Sequence, residues 1–258
     1  MSDLINEING YLYIITLNRE SKHNAFDDQL LVELKRQFDQ ANANPKVRVI
    51  ILKANGKHFS AGADLRWMQR MARYSEEENL KDALILADLM RTIYQSAVPT
   101  IAMVQGAAFG GGAGLVAACD IGIAADSARF CFSEVKLGLI PAVISPYVVK
   151  AIGERAAKGL FMSAESFDAS RALTLNLVQH CVPEEQLLDF TLDYAEKISH
   201  CAPESVRAAK KLTEYVADKS INKDLSYDTA KLIAEKRVSA EGQKGLRAFL
   251  NKEKPNWS

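Results

Sequence analysis

The sequence is poor in cysteine and histidine, with four of each among its 258 residues. The cysteines show no Cys-x-x-Cys spacing, and the histidines have no spacing typical of metal ligands. In a chain of this length, scattered cysteines are expected to be reduced core residues rather than disulfides or zinc ligands. The sequence therefore predicts a protein without a disulfide framework and without a metal.

The chain also lacks an excess of charge and a long apolar run. Lys plus Arg and Asp plus Glu both number 32, so no global field would attract nucleic acid, although a local basic patch could still bind phosphates. No segment reaches the roughly 18 apolar residues of a membrane helix. The first residues lack the positive region and apolar core of a secretory signal. We therefore expect a cytoplasmic protein with no nucleic-acid or membrane partner.

An alternation of strand and helix patterns runs through the first part of the chain. Residues 11–17 are rich in β-branched and aromatic side chains, which favours a strand. Asp27 or Asp28 can cap a helix whose leucines and Phe38 share one face. Further strands are expected at 47–52, 100–104, 121–125 and 129–132, and helices at 76–95 and from about 111. The helix at 76–95 has Leu80, Leu84, Leu86, Ala87 and Met90 as core candidates. This alternation indicates an α/β architecture.

From about residue 145 the pattern becomes mainly helical. The expected helices are 146–152, 154–162, 165–173, 184–199, 203–216, 224–238 and 241–250. We divide the chain into a core at 1–198 and a helical C-terminal region at 199–258.

The glycine-rich run at 105–120 is the most informative feature of the sequence. Its three successive glycines, Gly110 to Gly112, stand at the start of an apolar, helix-favouring stretch. Glycine has no Cβ, so a ligand can approach the backbone closely there. The first N–H groups of a helix have no intrahelical partner and carry the positive end of the helix dipole. Such a place is suited to stabilising a developing oxyanion, although a glycine-rich turn that packs a buried helix would look similar.

A second small-residue segment, at 58–66, strengthens the interpretation of the glycine run as an oxyanion site. It follows the strand candidate at 47–54 and the turn Asn55-Gly56. An oxyanion hole needs two N–H donors that converge on one oxygen, usually from separate segments. A third segment, at 129–141, has the pattern Phe-x-x-x-Glu followed by Gly-Leu-x-Pro.

The order and spacing of these motifs resemble the crotonase superfamily, also called the enoyl-CoA hydratase/isomerase family. The resemblance extends from about Tyr11 to Lys252 and includes Asn18-Arg19 and the segment 59–65. It implies a spiral of ββα units with a helical C-terminal region used in trimerisation. The usual assembly of the family is a homotrimer or a dimer of trimers. The implied substrate is an acyl-CoA thioester, and no separate cofactor is expected.

The resemblance also implies roles for individual residues. The backbone N–H groups of Ala63 and Gly111 would hold the thioester oxygen, and Glu134 would transfer the proton. CoA contacts are implied at Lys22, Ala25, Ala61, Asp64 and Leu65. Lys22 and Ala25 would line the pantetheine and phosphate end, the Ala61 carbonyl would meet the adenine, and Leu65 would line the acyl pocket.

One position departs from the pattern. Family hydratases use two glutamates to hold and split a water molecule, and the first position is occupied here by Gly114. One carboxylate can serve both proton steps, with or without help from a carboxylate on the substrate. We therefore expect a hydratase of an α,β-unsaturated acyl-CoA. The alternatives are an enoyl-CoA isomerase that uses Glu134 alone and a noncatalytic acyl-CoA-binding protein.

The segment 141–149 and the glycine run resemble those of the bacterial methylglutaconyl-CoA and carboxygeranoyl-CoA hydratase subgroup. The resemblance implies a role in fatty-acid, branched amino-acid or terpenoid acyl-CoA breakdown. Acyl chain length and branching are left open. The group that activates water could be Glu134, a carboxylate of the substrate or a group from the segment 70–78.

Overall fold

The computed structural model describes residues 2–257, which form two compact units, one ending at Ala195 and one beginning at Glu196. The strands are β1 Leu4–Asn9, β2 Leu12–Leu17, β3 Val49–Ala54, β4 Thr100–Val104, β5 Ala107–Phe109, β6 Ile121–Ala125, β7 Arg129–Cys131, β8 Phe167–Asp168 and β9 His180–Val182. The helices are α1 Asp28–Ala43, α2 Leu65–Met71, α3 Glu76–Tyr94, α4 Gly111–Ala118, α5 Ser145–Ile152, α6 Glu154–Ser163, α7 Ala169–Thr174, α8 Leu187–Ser199, α9 Pro203–Ala217, α10 Lys223–Val238 and α11 Ala240–Leu250. The expected α/β class is confirmed.

The larger sheet of the first unit has the strand order β1-β2-β3-β4-β6-β9. Strand β1 is antiparallel to β2, and the remaining neighbours are parallel. Strands β2 and β4 are buried at every position, as expected for parallel strands that are covered on both faces. Because parallel strands all end at the same edge, the segments that follow β3 and β4 emerge close together.

Two helices on this sheet begin where local capping predicts. The side chain of Asp27 accepts a hydrogen bond from Leu30 N at 3.0 Å, which confirms it as the cap of α1. Ser75 and Glu78 form a reciprocal capping box at the start of α3.

The burial of α3 differs from the sequence expectation. Leu80 and Leu84 were expected in the core, but they are 59% and 51% exposed. The helix instead buries its C-terminal part around Leu89 and Met90, and Asp82 is buried because it accepts a hydrogen bond from the Trp67 indole at 3.0 Å. The hydrophobic spacing was therefore right for Met90, which is fully buried, and for Leu86 and Ala87, which are half-buried. It was wrong for Leu80 and Leu84.

A second, three-stranded sheet carries the segments that build the candidate site. Its order is β5-β7-β8, with β5 parallel to β7 and β7 antiparallel to β8. The expected helix at 165–173 is wrong at its start, because Phe167–Asp168 form β8 and the helix α7 follows. Strand β5 leads directly into α4, and β7 leads into a 3₁₀ turn at Glu134–Leu137.

The second unit contains α9, α10 and α11. Within residues 2–257, no helix is long and apolar enough to cross a membrane. No group of three or more His, Cys, Asp or Glu side chains in that range could hold a metal ion.

Candidate active site

The N-terminus of α4 is the first component of the site. Gly110 has φ +52°, a conformation that L side chains rarely adopt, and its N–H donates to Cys131 O at 2.8 Å. This bond ties the start of the helix to the end of β7. The helix begins at Gly111, whose N–H is therefore one of the orphan donors of the first turn.

The segment at 60–64 is the second component. Phe26 N donates to Gly62 O, and Asp64 N donates to Phe26 O, both at 2.9 Å. These bonds form a parallel bridge between Phe26 and Ala63. In such a bridge the bonded groups belong to the residues on either side, so the N–H of Ala63 points away from Phe26.

The two segments meet around the ring of Phe26. A Cβ on Gly111 would lie only 2.5 Å from Phe26 Cζ, so no larger residue fits without a shift of the buried ring. A parallel bridge also joins Ser60 to Ala108, where Phe109 N donates to Ser60 O at 3.0 Å. The structure thus brings both predicted oxyanion donors, Ala63 and Gly111, beside Phe26.

Glu134 is the third component and begins the 3₁₀ turn after β7. Its Oε1 is 3.3 Å from the position that a Cβ on Gly110 would occupy. Its Oε2 is buried, and among the described residues it has no hydrogen-bond partner. Burial raises the pKa of the Glu134 carboxyl above its ordinary value. A hydrogen bond from its own backbone N–H lowers the pKa, but by less than burial raises it. A carboxyl with one unpartnered oxygen and a raised pKa beside a helix N-terminus is suited to proton transfer.

The space beside Gly114 is filled by apolar side chains. A Cβ on Gly114 would lie 2.3 Å from Ile144 Cγ2 and 3.2 Å from Met90 Cε. The structure therefore leaves no room for a carboxylate at this position. Sequence reasoning identified the missing glutamate but not Ile144, which lies thirty positions away and is recognised only from the packing.

Asp64 holds the start of α2 and binds cations. Its side chain accepts from Arg66 N at 2.8 Å and Trp67 N at 3.3 Å, and it lies 2.7 Å from Lys22 Nζ. The hydrogen bond from Lys22 is the main cause that lowers the pKa of Asp64, and the two backbone N–H groups add to it. The Lys22 ammonium is thus paired with a carboxylate. The chain after Asp64 enters α2 with Leu65, which is 75% exposed.

Arg19 is a site-building residue whose role the sequence reasoning missed. Its guanidinium is buried, forms a 3.0 Å ion pair with Asp27, and donates to Ala25 O at 3.0 Å. It also lies 3.0 Å from Asp3 Oδ2 and 3.8 Å from Asp64 Oδ2. It therefore ties the 25–27 segment to the loop that carries Ala63. Its presence in the Asn18-Arg19 motif was the available signal.

A cavity of about 470 Å³ lies beside His58 and Ala61, in the same loop that carries Ala63. Its lining residues are His23, Lys57, His58, Ala61, Gly106, Ala107, Phe109, Ser127, Arg129 and Glu184. The rings of His23 and His58 meet edge to face at 5.1 Å, and His58 Nδ1 accepts from Ala107 N at 3.1 Å. Burial, together with the neighbouring His23 and Lys57, lowers the pKa of His58.

The chain matches known proteins along nearly its whole length. The family model described as enoyl-CoA hydratase/isomerase matches residues 7–258. A Legionella pneumophila crystal structure that carries the description enoyl CoA hydratase/isomerase (crotonase) is 68% identical, with 100% of each chain covered and a TM-score of 0.98. An enoyl-CoA hydratase structure from Shewanella pealeana is 42% identical, with 99% of this chain and 96% of that chain covered and a TM-score of 0.95.

Curated relatives carry hydratase names as well. The 2,3-dehydroadipyl-CoA hydratase of Escherichia coli K12 is 28% identical over 258 residues, which is 100% of this chain and 99% of the relative. The fold, the order of the motifs and these matches agree, and the chain belongs to the enoyl-CoA hydratase/isomerase family, the crotonase superfamily.

Proposed function

We propose that this protein is a hydratase that adds water to the double bond of an α,β-unsaturated acyl-CoA thioester. The observation that carries the proposal is the Glu134 carboxyl, which is buried without a partner for Oε2 and lies beside the first turn of α4. The relatives with hydratase names support the same reaction class.

The reaction follows from these positions. The N–H groups of Ala63 and Gly111 bind the thioester oxygen, and one such donor is typically worth about 2.7–4 kcal/mol of barrier. The Glu134 carboxylate takes a proton from water as the water oxygen bonds to the β-carbon. The double-bond electrons move toward the thioester and form an enolate. The protonated Glu134 then returns the proton to the α-carbon, so atoms and charge balance.

A single carboxylate serves both proton steps in this scheme. Ile144 fills the space of a carboxylate at position 114. The segment 70–78 was a further candidate source of a water-activating group. Its Arg70 is paired with Asp28, and its Glu78 is engaged in the capping box with Ser75.

We assign the nucleotide end of CoA to the cavity beside Ala61. Its Lys57 and Arg129 side chains are suited to phosphate groups, and His23 and His58 line the same cavity. Lys22, Ala25 and Leu65 would follow along the pantetheine and acyl parts. The Lys22–Asp64 pair would then order the loop at the centre of the CoA path.

An isomerase that moves the double bond is the second candidate, and the Ile144 contact favours it. A shuttle of one proton between two carbons needs one carboxylate and no water. Apolar surroundings that exclude water would suit such a reaction.

The two reactions, and a protein that only binds acyl-CoA, differ in products. Crotonyl-CoA, 3-methylglutaconyl-CoA and 3-hexenoyl-CoA are incubated separately with the protein in ¹⁸O-labelled water and analysed by mass. A hydratase gives a product with labelled oxygen at the β-carbon. An isomerase converts the 3-enoyl substrate to the conjugated thioester, and that product contains no added oxygen. Water addition to none of the three would overturn the hydratase proposal. Binding without turnover, unchanged in Glu134→Ala, would indicate the noncatalytic protein.

The substrate class and the assembly are also proposed. The segment 141–149 supports a branched acyl-CoA with a second carboxylate, from amino-acid or terpenoid breakdown in the cytoplasm. A homotrimer or a dimer of trimers is supported by exposed apolar side chains in the second unit, such as Val238, Phe249 and Leu250. Sedimentation velocity would test the assembly, and a monomer at micromolar concentration would contradict it.

A further inference from the structure

The first turn of α4 borders two different side chains. Gly110 precedes the helix and has a non-helical backbone, whereas Gly111 and Gly114 are three residues apart inside it and share a face. A Cβ on Gly110 would lie 3.3 Å from Glu134 Oε1, and a Cβ on Gly114 would lie 2.3 Å from Ile144 Cγ2. Three residues rise by about 4.5 Å along a helix. Ile144 therefore lies beside the helix about one turn beyond Gly111, and Glu134 lies beside the residue that precedes Gly111.

Ile144 is held firmly in this place. It is 2% exposed and lies immediately before α5, where its carbonyl accepts from Tyr147 N at 3.2 Å and Val148 N at 3.1 Å. Its own Cβ is 2.8 Å from the position of a Cβ on Gly114, so the close approach involves the stem of the side chain. A β-branched stem has few rotamers and cannot swing aside as Met90 can.

The position of Ile144 relative to the substrate rests on the proposed function. The thioester oxygen is held at Gly111, the first residue of α4, and Glu134 must reach the α-carbon. The acyl chain then passes along the α4 face, and groups on the β-carbon meet the next turn. We infer that Ile144 is a specificity-determining residue, an apolar wall that limits the size of the substituent on the β-carbon.

The test compares the binding of saturated thioesters, which cannot react. Butyryl-CoA and 3,3-dimethylbutyryl-CoA differ in bulk at the β-carbon, and calorimetry gives the ratio of their dissociation constants. The variants are Ile144→Val, Ile144→Ala and, as a control for a buried cavity elsewhere, Leu34→Ala in α1, where Leu34 is 1% exposed. Because one methylene in an apolar pocket changes discrimination by about 10-fold or more, Ile144→Ala should shift the ratio at least that far toward the bulkier ester.

The conservative variant keeps the test decisive if Ile144→Ala fails to fold. Ile144→Val should shift the ratio in the same direction by a smaller factor. A ratio in both Ile144 variants equal to that of the wild type and of Leu34→Ala would overturn the inference. If the wild type binds both esters but hydrates no unsaturated thioester, the proposed function fails, while the binding ratio still decides the role of Ile144.

Discussion

Replacing Glu134 by glutamine removes the acid–base group and preserves its shape. General acid–base catalysis contributes about 10²–10⁴-fold, which corresponds to roughly 3–5 kcal/mol of activation free energy. Oε2 has no partner among the described residues, so the change to an amide breaks no hydrogen bond at that atom. We therefore expect kcat for hydration to fall by about 10²-fold or more, with little change in KM.

The same substitution, which lowers kcat, should not lower the stability of the fold. The folded-state pKa of Glu134 is raised above its ordinary value of 4.5, because burial penalises the charged form. The protonated group therefore stabilises the fold below pH 4.5, and this contribution is lost as the pH rises through the folded-state pKa. Since glutamine carries no charge, Glu134→Gln should be at least as stable as the wild type at neutral pH.

Stopped-flow loss of the conjugated thioester absorbance measures kcat, and thermal unfolding at several pH values measures stability. In the wild type, kcat/KM should rise with pH through the raised pKa of Glu134, because the carboxylate is the base. The matched control is Glu33→Gln on α1, whose carboxylate pairs with Arg36 on the surface. A Glu134→Gln variant that keeps wild-type kcat, or that loses stability at neutral pH, would refute the reasoning.

Three further substitutions test other parts of the site. Arg19→Met removes a buried guanidinium and leaves the half-buried Asp27 without its ion-pair partner, so it should lower the free energy of unfolding by about 3 kcal/mol in urea titration. The exposed Arg36→Met should cost about 1 kcal/mol or less, so equal losses in the two variants would argue against the buried network. Lys57→Ala should raise KM for the CoA thioester but not for the corresponding pantetheine thioester, whereas equal effects would place the nucleotide elsewhere. Gly111→Ala should cost about 1–3 kcal/mol of stability through its contact with Phe26, and an unchanged unfolding midpoint would contradict this.

The sequence predicted elements that are controlled by local signals. Strand β2 and helix α1 were found because the first is a β-rich run and the second has a capping aspartate. Strand β1 was missed because its apolar and polar residues do not alternate, and only Leu4 is buried. It pairs with β2 through backbone hydrogen bonds, which its side-chain pattern does not predict. The short strands β5 and β9 likewise depend on neighbours that are distant in sequence.

In the site, too, local patterns were predicted from the sequence and contacts between distant segments were not. The glycine segments were identified from their pattern and Glu134 from the resemblance to the crotonase superfamily, and the structure places these segments next to one another. The packing of Ile144 against Gly114 could not be predicted, since a glycine carries no signal of which side chain fills its vacant space. The network of Arg19 was missed for a similar reason, because its partners come from three separate segments.

The network of Arg19 also reaches residues 2 and 3. Asp3 pairs with Arg19 at 3.0 Å, and Asn18 donates to Ser2 O at 2.8 Å and, through its N–H, to Asp3 O at 2.9 Å. Residues 2 and 3 are thereby fastened to the arginine that also lies near Asp64, in the loop that carries Ala63. Substitution of Asp3 by alanine should therefore alter turnover through Arg19, although Asp3 itself lies far along the chain from the loop that carries Ala63.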